Sequence, residues 1–148
     1  MYGFTDEHLV ARVPHVNVWR ADDVIGVQAH GVLDDATSDR WRAIVDDDIA
    51  RKGLPRFIVI DFSQCDPQNS MAARYRTATF AREKMKKIEH CLILTGGTAG
   101  PTVVVRAVLR ALGLPNLEMT VDPAEFDVTL RAMRRGENPR RARERRAS

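Results

Sequence analysis

Five short runs of apolar residues predict the β-strands of this protein. The first two are separated by a turn at 21–23, and Val16 and Val18 alternate with polar neighbours, so this pair predicts a β-hairpin. The third run is apolar on both faces, which is typical of a central parallel strand. The five runs cover residues 16–18, 24–31, 57–62, 91–95 and 117–121.

Each of the last four strands is followed by a segment with helical periodicity. The first helix is predicted to start at a Thr37 or Ser38 cap and to end at Gly53, the third spans 102–112, and the fourth starts at a capping box at 122–125. This order predicts an α/β fold with a mixed, mostly parallel sheet of about five strands, an antiparallel edge hairpin and about four helices. The side chains that these three helices are expected to bury are Trp41, Ile44, Val45 and Ile49; Val104, Val105, Val108 and Leu112; and Phe126, Leu130 and Met133.

Length and composition favour a single domain, because 148 residues with 44% apolar and 29% charged side chains can form one core. We expect a domain at 15–135, preceded by a loose arm or short helix at 1–14 and followed by a basic, disordered tail at 136–148. The sequence shows neither a membrane-length apolar run nor the pattern of a signal peptide, which predicts no membrane span and a cytoplasmic location. Cys65 and Cys91 form no Cys-x-x-Cys pair, so we expect reduced, structural thiols.

Positive charge is concentrated at the C-terminus. Residues 134–148 hold seven arginines against Glu137 and Glu144, a net charge of +5, whereas the whole chain carries +3 and residues 1–133 therefore carry −2. The tail has no apolar face to bury, which predicts disorder. Such a segment is either a solubilising tail or a weak nucleic-acid contact that acts through phosphates.

The turn at 63–69 is expected to deliver Ser70 to the start of the second helix. Amides in the first turn of a helix have no intrahelical partner and favour negative charge, so Ser70 is either a phosphoacceptor or simply the helix cap. Asp66 and Asn69 lie in the same turn and complete the candidate site. Phosphorylation at this position would alter the surface without disrupting the helix.

The second helix is expected to present a basic face with one aromatic residue. At 100° per residue, one side carries Arg76, Phe80, Lys84 and Lys87, which places Phe80 in solvent as an anchor for a protein partner. Alternatively, Phe80 lies under the N-terminal arm or in a contact between two copies of the chain, which leaves a homo-oligomer open. The side predicted to face the core carries Met71, Tyr75, Ala78, Ala81 and Met85.

The glycine-rich turn at 96–100 is a weaker candidate for ligand binding. Gly96, Gly97 and Thr98 lie between a strand and a helix, where backbone amides can bind an anion, but the phosphate-loop spacing is missing and a structural turn is favoured. The four histidines show no metal-ligand spacing, so neither a metal nor a cofactor is predicted. No nucleophile with a neighbouring base can be assigned, and an enzyme is not predicted.

The segment Val-Ile-Gly-Val-Gln-Ala-His-Gly-Val-Leu-Asp-Asp-Ala-Thr at 24–37 resembles a strand and turn of the STAS domain, found in bacterial anti-sigma-factor antagonists. Ser70 follows Gly31 by 39 residues, near the spacing at which that family carries a phosphorylated serine in an Asp-Ser-Ser/Thr-Gly motif. Asn69-Ser70-Met71-Ala72 keeps the serine and differs at the other motif positions. The resemblance implies a STAS-like fold and a regulatory interaction module that binds a kinase, an anti-sigma factor or a signalling scaffold through Ser70 and its helix. The alternative is a domain of STAS-like topology that binds a nucleotide or lipid.

Overall fold

The structure is a computed structural model that describes residues 3–68, 70–96 and 113–147. In this part of the chain one six-stranded sheet has its strands in sequence order. The first three strands pair antiparallel and the last four pair parallel. The strands are β1 (Leu9–Val13), β2 (Val16–Ala21), β3 (Val24–Leu33), β4 (Phe57–Pro67), β5 (His90–Leu94) and β6 (Leu117–Thr120). This architecture confirms the mixed, mostly parallel sheet with an antiparallel edge hairpin.

Helices lie on both faces of the sheet, and each face has its own core. Ile58 and Ile60 of β4 belong to the core that also contains Trp41, whereas Phe57 and Val59 belong to the opposite core. This arrangement explains why β4 is apolar on both faces. The helices are α1 (Asp35–Lys52), α2 (Met71–Met85), α3 (Pro123–Arg134) and α4 (Pro139–Ala147). The helix predicted at 102–112 lies outside the described residues.

The N-terminal segment, predicted as a loose arm or short helix, contains a strand. A short 3-10 helix at Asp6–His8 leads into β1, which pairs with β2 and becomes the sixth strand. Phe4 is buried and stacks on Trp19 with ring centroids 5.8 Å apart. A Cβ on Gly26 would lie 2.8 Å from the Phe4 ring, so this glycine makes room for the aromatic side chain. The sequence signal was weak because β1 has only five residues and its side chains are no more than partly buried.

Two predicted boundaries are also wrong. β4 continues through residues 63–67, where a turn was predicted, because this stretch pairs with β3 as far as Leu33 opposite Pro67. Asp34, rather than Thr37 or Ser38, caps α1, and its carboxylate accepts a hydrogen bond from the Thr37 amide at 2.8 Å. The predicted end of α1 at Gly53 is confirmed, with φ of 88°.

The predicted helix at the end of the domain is confirmed as α3. Asp122 is the N-cap, Pro123 occupies the first turn, and Phe126, Leu130 and Met133 are buried. The expected capping box is incomplete, since Glu125 accepts a hydrogen bond from the Thr120 hydroxyl instead of the Asp122 amide. A strong cap and an amphipathic pattern explain why this helix could be read from sequence.

The tail predicted to be disordered forms α4. Arginine, alanine and glutamate all have high helix propensity, and Pro139 is favourable at the first helical position. Arg140 and Glu144 form an ion pair one turn apart, at 3.7 Å. The prediction considered only the lack of an apolar face, and local helix propensity outweighed it.

Candidate functional site

The N-termini of α1 and α2 lie side by side at one edge of the sheet. β3 and β4 are parallel neighbours that end in register, Leu33 opposite Pro67. The Gln68 amide donates to the Leu33 carbonyl at 3.0 Å and continues this pairing beyond the strands. Each helix begins within a few residues of its strand end, so residues that are 35 positions apart in sequence come into contact.

Ser70 is the N-cap of α2, as predicted, and it also contacts the first turn of α1. Its Oγ accepts a hydrogen bond from the Ala73 amide at 3.1 Å and donates one to Asp35 Oδ2 at 2.6 Å. The Ser70 amide donates to Asp35 Oδ1 at 2.6 Å. These two bonds from Ser70 lower the pKa of Asp35, because both stabilise its ionised form. Ser70 is exposed, and it is held by two hydrogen bonds at its hydroxyl oxygen and one at its amide.

Arg76 connects the same two helices one turn further along. Its guanidinium contacts both carboxylate oxygens of Asp39 in α1, at 3.1 and 3.2 Å. This bidentate contact is the main reason that the pKa of Asp39 is lowered, and Arg42 also pairs with the same carboxylate. Arg76 therefore pairs with α1 instead of standing alone in solvent.

Phe80 is half-buried between α1 and α2, so its predicted place in solvent was wrong. Its ring packs edge-to-face against Trp41 with centroids 5.4 Å apart, and Lys84 Nζ lies 5.2 Å from its centroid. Lys84 in turn reaches Asp46 of α1 at 2.5 Å. The prediction assumed one buried face, but α2 packs against the sheet and against α1.

Met71 and Tyr75, predicted to face the core, point outward. Their exposed fractions are 72% and 73%, the largest among the big apolar side chains that the structure describes as exposed. Met71 directly follows Ser70 and Tyr75 lies one helical turn beyond Met71, so the two apolar side chains are neighbours on the helix surface next to Ser70. We call Ser70, Met71 and Tyr75 the α2 strip. An exposed apolar patch beside a polar centre is typical of a protein-binding surface.

The remaining predicted site residues are less informative. Asp66 is exposed near the end of β4, and Gln68 Nε2 donates to its carboxylate at 2.8 Å. Gly96 is half-buried after β5, whereas Asn69, Gly97 and Thr98 lie outside the described residues. Within the ranges 3–68, 70–96 and 113–147, no cluster of three or more His, Cys, Asp or Glu could hold a metal ion. No described helix is long and apolar enough to cross a membrane.

Asp35 and Asp39 were missed in the sequence. A signal for them existed, because helices that follow adjacent parallel strands start at the same edge, and residues in their first turns are neighbours. Acidic side chains are common in a first helical turn, and this ordinary explanation made Asp35 inconspicuous. Its contact with Ser70 needs the pairing of β3 with β4, which only the sheet order provides.

Comparisons with solved structures identify the fold. The anti-sigma factor antagonist SpoIIAA in its unphosphorylated form superposes with a TM-score of 0.56 at 14% identity, covering 78% of this chain and 97% of that one. This chain has a STAS-like fold. The phosphorylated form of the Bacillus cell fate determinant SpoIIAA gives 0.54 at 15% identity and covers 77% and 98%.

A second protein shares the STAS-like fold. A DUF3478-family protein with a SpoIIAA-like fold from Shewanella loihica PV-4 gives a TM-score of 0.51 at 16% identity, covering 74% of this chain and 87% of that one. No protein-family model matches the sequence, and no curated protein is similar to it in sequence. At these identities the STAS-like resemblance is one of fold.

Proposed function

We propose that this protein is a regulatory interaction module that binds a signalling protein through the α2 strip, with Ser70 as the phosphoacceptor that controls binding. One observation carries the proposal: an exposed, hydrogen-bonded serine at a helix N-terminus shares the first two turns of that helix with two exposed apolar side chains, Met71 and Tyr75. The similarity to SpoIIAA, an antagonist of an anti-sigma factor with unphosphorylated and phosphorylated forms, supports it. A kinase, an anti-sigma factor or a signalling scaffold is the expected class of partner.

The surroundings of Ser70 define what a phosphate would change. Phosphorylation replaces the hydroxyl proton that Ser70 donates to Asp35 and adds a charge of about −1.5 to −2. The helix N-terminus stabilises this charge, whereas the Asp35 carboxylate repels it. The expected result is a local separation of the α1 and α2 N-termini in an otherwise intact fold, because the Arg76–Asp39 contact lies one turn away.

Asp35 is better suited to orient the Ser70 hydroxyl than to remove its proton. Its pKa lies below the ordinary value, and a weaker base is a poorer general base. The carboxylate accepts the hydroxyl hydrogen bond and the Ala73 amide occupies one oxygen lone pair, which leaves the other for attack on the terminal phosphoryl group of a nucleoside triphosphate bound by a kinase. A base of the kinase would take the hydroxyl proton, and the nucleoside diphosphate would leave. A specific kinase would therefore recognise the two helix N-termini together.

The direct test is a quantitative pull-down from the native cell with tagged wild type, Ser70→Ala, Ser70→Asp and Tyr75→Ala, combined with mass spectrometry of position 70. We expect Tyr75→Ala to reduce recovery of the partner about tenfold, and Ser70→Asp to weaken or redirect binding. Val128→Ala is the matched control, since Val128 is an exposed apolar residue on α3 and its loss should leave recovery unchanged.

Two results would contradict the proposal. Equal partner recovery by all three Ser70 forms would leave Ser70 with only its capping role. Equal recovery by Tyr75→Ala and Val128→Ala would remove Tyr75 from the binding surface. Circular dichroism of each variant confirms that any loss of binding occurs in a folded protein.

A further inference from the structure

The C-terminal helix α4 is attached to the end of the sheet opposite Ser70. Gly136 turns the chain after α3 with φ of 80°, and a Cβ there would lie 3.1 Å from an Arg56 side-chain nitrogen. Pro139, the first residue of α4, is buried. The Asn138 side chain accepts a hydrogen bond from the Arg140 amide at 3.0 Å, which caps the helix. α4 is thus fixed to the domain.

An ion pair at the N-terminal ends of β4 and β5 lies next to the start of α4. Arg56, just before β4, pairs with Glu89, just before β5. This contact is the main reason that the pKa of Glu89 is lowered, and the positive charge of Arg141 and a hydrogen bond from Asn138 lower it further. The arginines of α4 therefore start from a defined position on the fold.

The surface around α4 is strongly basic. The sequence of α4 contains five arginines and one glutamate, and Arg140, Arg141 and Arg145 are exposed. Lys86 and Lys87 follow the last residue of α2 and come three and two residues before Glu89, which directly precedes β5; both are exposed and form no ion pair with any described residue. We call Lys86, Lys87, Arg140, Arg141 and Arg145 the basic end.

The α4 arginines of the basic end are remote from Ser70, whereas Lys86 caps the C-terminus of α2 and lies about 17 Å along that helix from Tyr75. β4 runs from the α4 end of the molecule to Ser70, since Arg56 precedes its first residue and Ser70 follows its last by three positions. Its 11 residues at about 3.3 Å each span roughly 35 Å. A partner bound to the α4 arginines would therefore lie at the opposite end of β4 from a partner bound at Ser70.

We infer that the basic end binds the phosphodiester backbone of a nucleic acid. Guanidinium groups bind phosphate oxygens in a bidentate way, and several on one rigid helix neutralise neighbouring phosphates together. A nine-residue helix is about 13 Å long, and duplex DNA carries one phosphate charge per about 1.7 Å of its axis, so several phosphates lie within reach of α4.

A membrane surface fits this helix less well. The uncharged residues of α4 are Pro139, which is buried, and two alanines, so it has no large apolar side chain to enter a bilayer interface. The proposed contacts are to phosphates, which carry no sequence information, so binding is expected to be largely independent of sequence.

The test measures binding of the full chain to a fluorescent 20-base-pair DNA duplex by anisotropy over a salt series. One variant carries Arg140→Gln, Arg141→Gln and Arg145→Gln. The matched control removes the same charge elsewhere with Arg12→Gln, Arg40→Gln and Arg51→Gln, which lie on β1 and α1 and are exposed. We expect the α4 variant to bind about tenfold or more weakly at low salt and its log–log salt slope to fall by about 2.7, at 0.9 per phosphate contact.

The control variant is expected to keep most of the affinity, and a version with lysine at the three α4 positions should keep most of the salt slope. A random-sequence duplex and an RNA duplex of equal length distinguish which nucleic acid is bound. The inference is overturned if the two glutamine variants lose affinity equally, if the α4 variant binds like wild type, or if wild type binds vesicles with anionic phospholipid but neither duplex. Ser70→Asp should bind DNA like wild type. The DNA-binding experiment therefore tests the basic end independently of the role proposed for Ser70 in the pull-down.

Discussion

Replacing each of two aromatic residues in α2 by alanine tests whether the structure has placed them on the correct faces of the helix. Phe80→Ala should destabilise the protein, whereas Tyr75→Ala should leave its stability unchanged. The sequence pattern predicts the reverse, because it places Tyr75 in the core and Phe80 in solvent. Both changes replace an aromatic residue by alanine in the same helix, so the gain in helix propensity, about 0.5 kcal/mol, is common to both.

The magnitude follows from the contacts of each ring. Truncating a fully buried phenylalanine costs about 3–5 kcal/mol, and Phe80 is half-buried but packs edge-to-face on Trp41. We therefore expect a loss of about 2 kcal/mol for Phe80→Ala. With 148 residues and about 2.1 cal/mol/K of unfolding entropy per residue, this corresponds to a fall in Tm of about 6 °C. Tyr75 is 73% exposed, so its truncation should change stability by less than about 0.5 kcal/mol.

Urea unfolding followed by far-UV circular dichroism is the appropriate assay, because Trp41 fluorescence would respond directly to loss of the neighbouring Phe80 ring. The two variants should have equal denaturant slopes and differ only in midpoint. A larger loss of stability for Tyr75→Ala than for Phe80→Ala would refute the assigned rotation of α2. It would also move Tyr75 out of the proposed partner surface.

Three further predictions concern charged and reactive groups. Asp48 is 2% exposed and pairs with Arg20 at 3.0 Å, so Asp48→Asn would leave a largely buried guanidinium poorly paired. We expect this change to lower the free energy of unfolding, measured in urea, by about 3 kcal/mol, and a loss under about 1 kcal/mol would contradict this. Burial raises the pKa of both Cys65 and Cys91 to about 12. A thiol reagent at about pH 8 should therefore label the native protein much more slowly than the urea-unfolded protein, and equal labelling rates would contradict the burial of the thiols. Hydrogen bonds from Ser70 hold the pKa of Asp35 below its ordinary 3.8, so their stabilising effect is complete above that pH and is lost as pH falls through the lower folded value. The difference in urea midpoint between wild type and Ser70→Ala should therefore shrink as pH falls below about 4, and the part due to the hydrogen bond from the Ala73 amide to Ser70 Oγ should remain; a difference that stays constant with pH would exclude this linkage.

Sequence by itself determined the elements whose signals are local. The hairpin of β2 and β3, the central position of β4 and the buried face of α3 follow from alternation, an apolar run and a capped amphipathic pattern. Each of these signals involves residues within about ten positions of one another. The resemblance at 24–37 added the topology, which the sheet order and the superposition with SpoIIAA confirm.

Only the tertiary structure decided which surfaces are exposed and which residues meet. The rotation of α2 depends on two packing partners, the sheet and α1, and a helical pattern read alone assumes one. The contact between Ser70 and Asp35 depends on the parallel pairing of two strands, and β1 is a strand because β2 offers it a free edge. Periodicity reports how apolar a face is, whereas burial also depends on which neighbours the rest of the chain brings to that face.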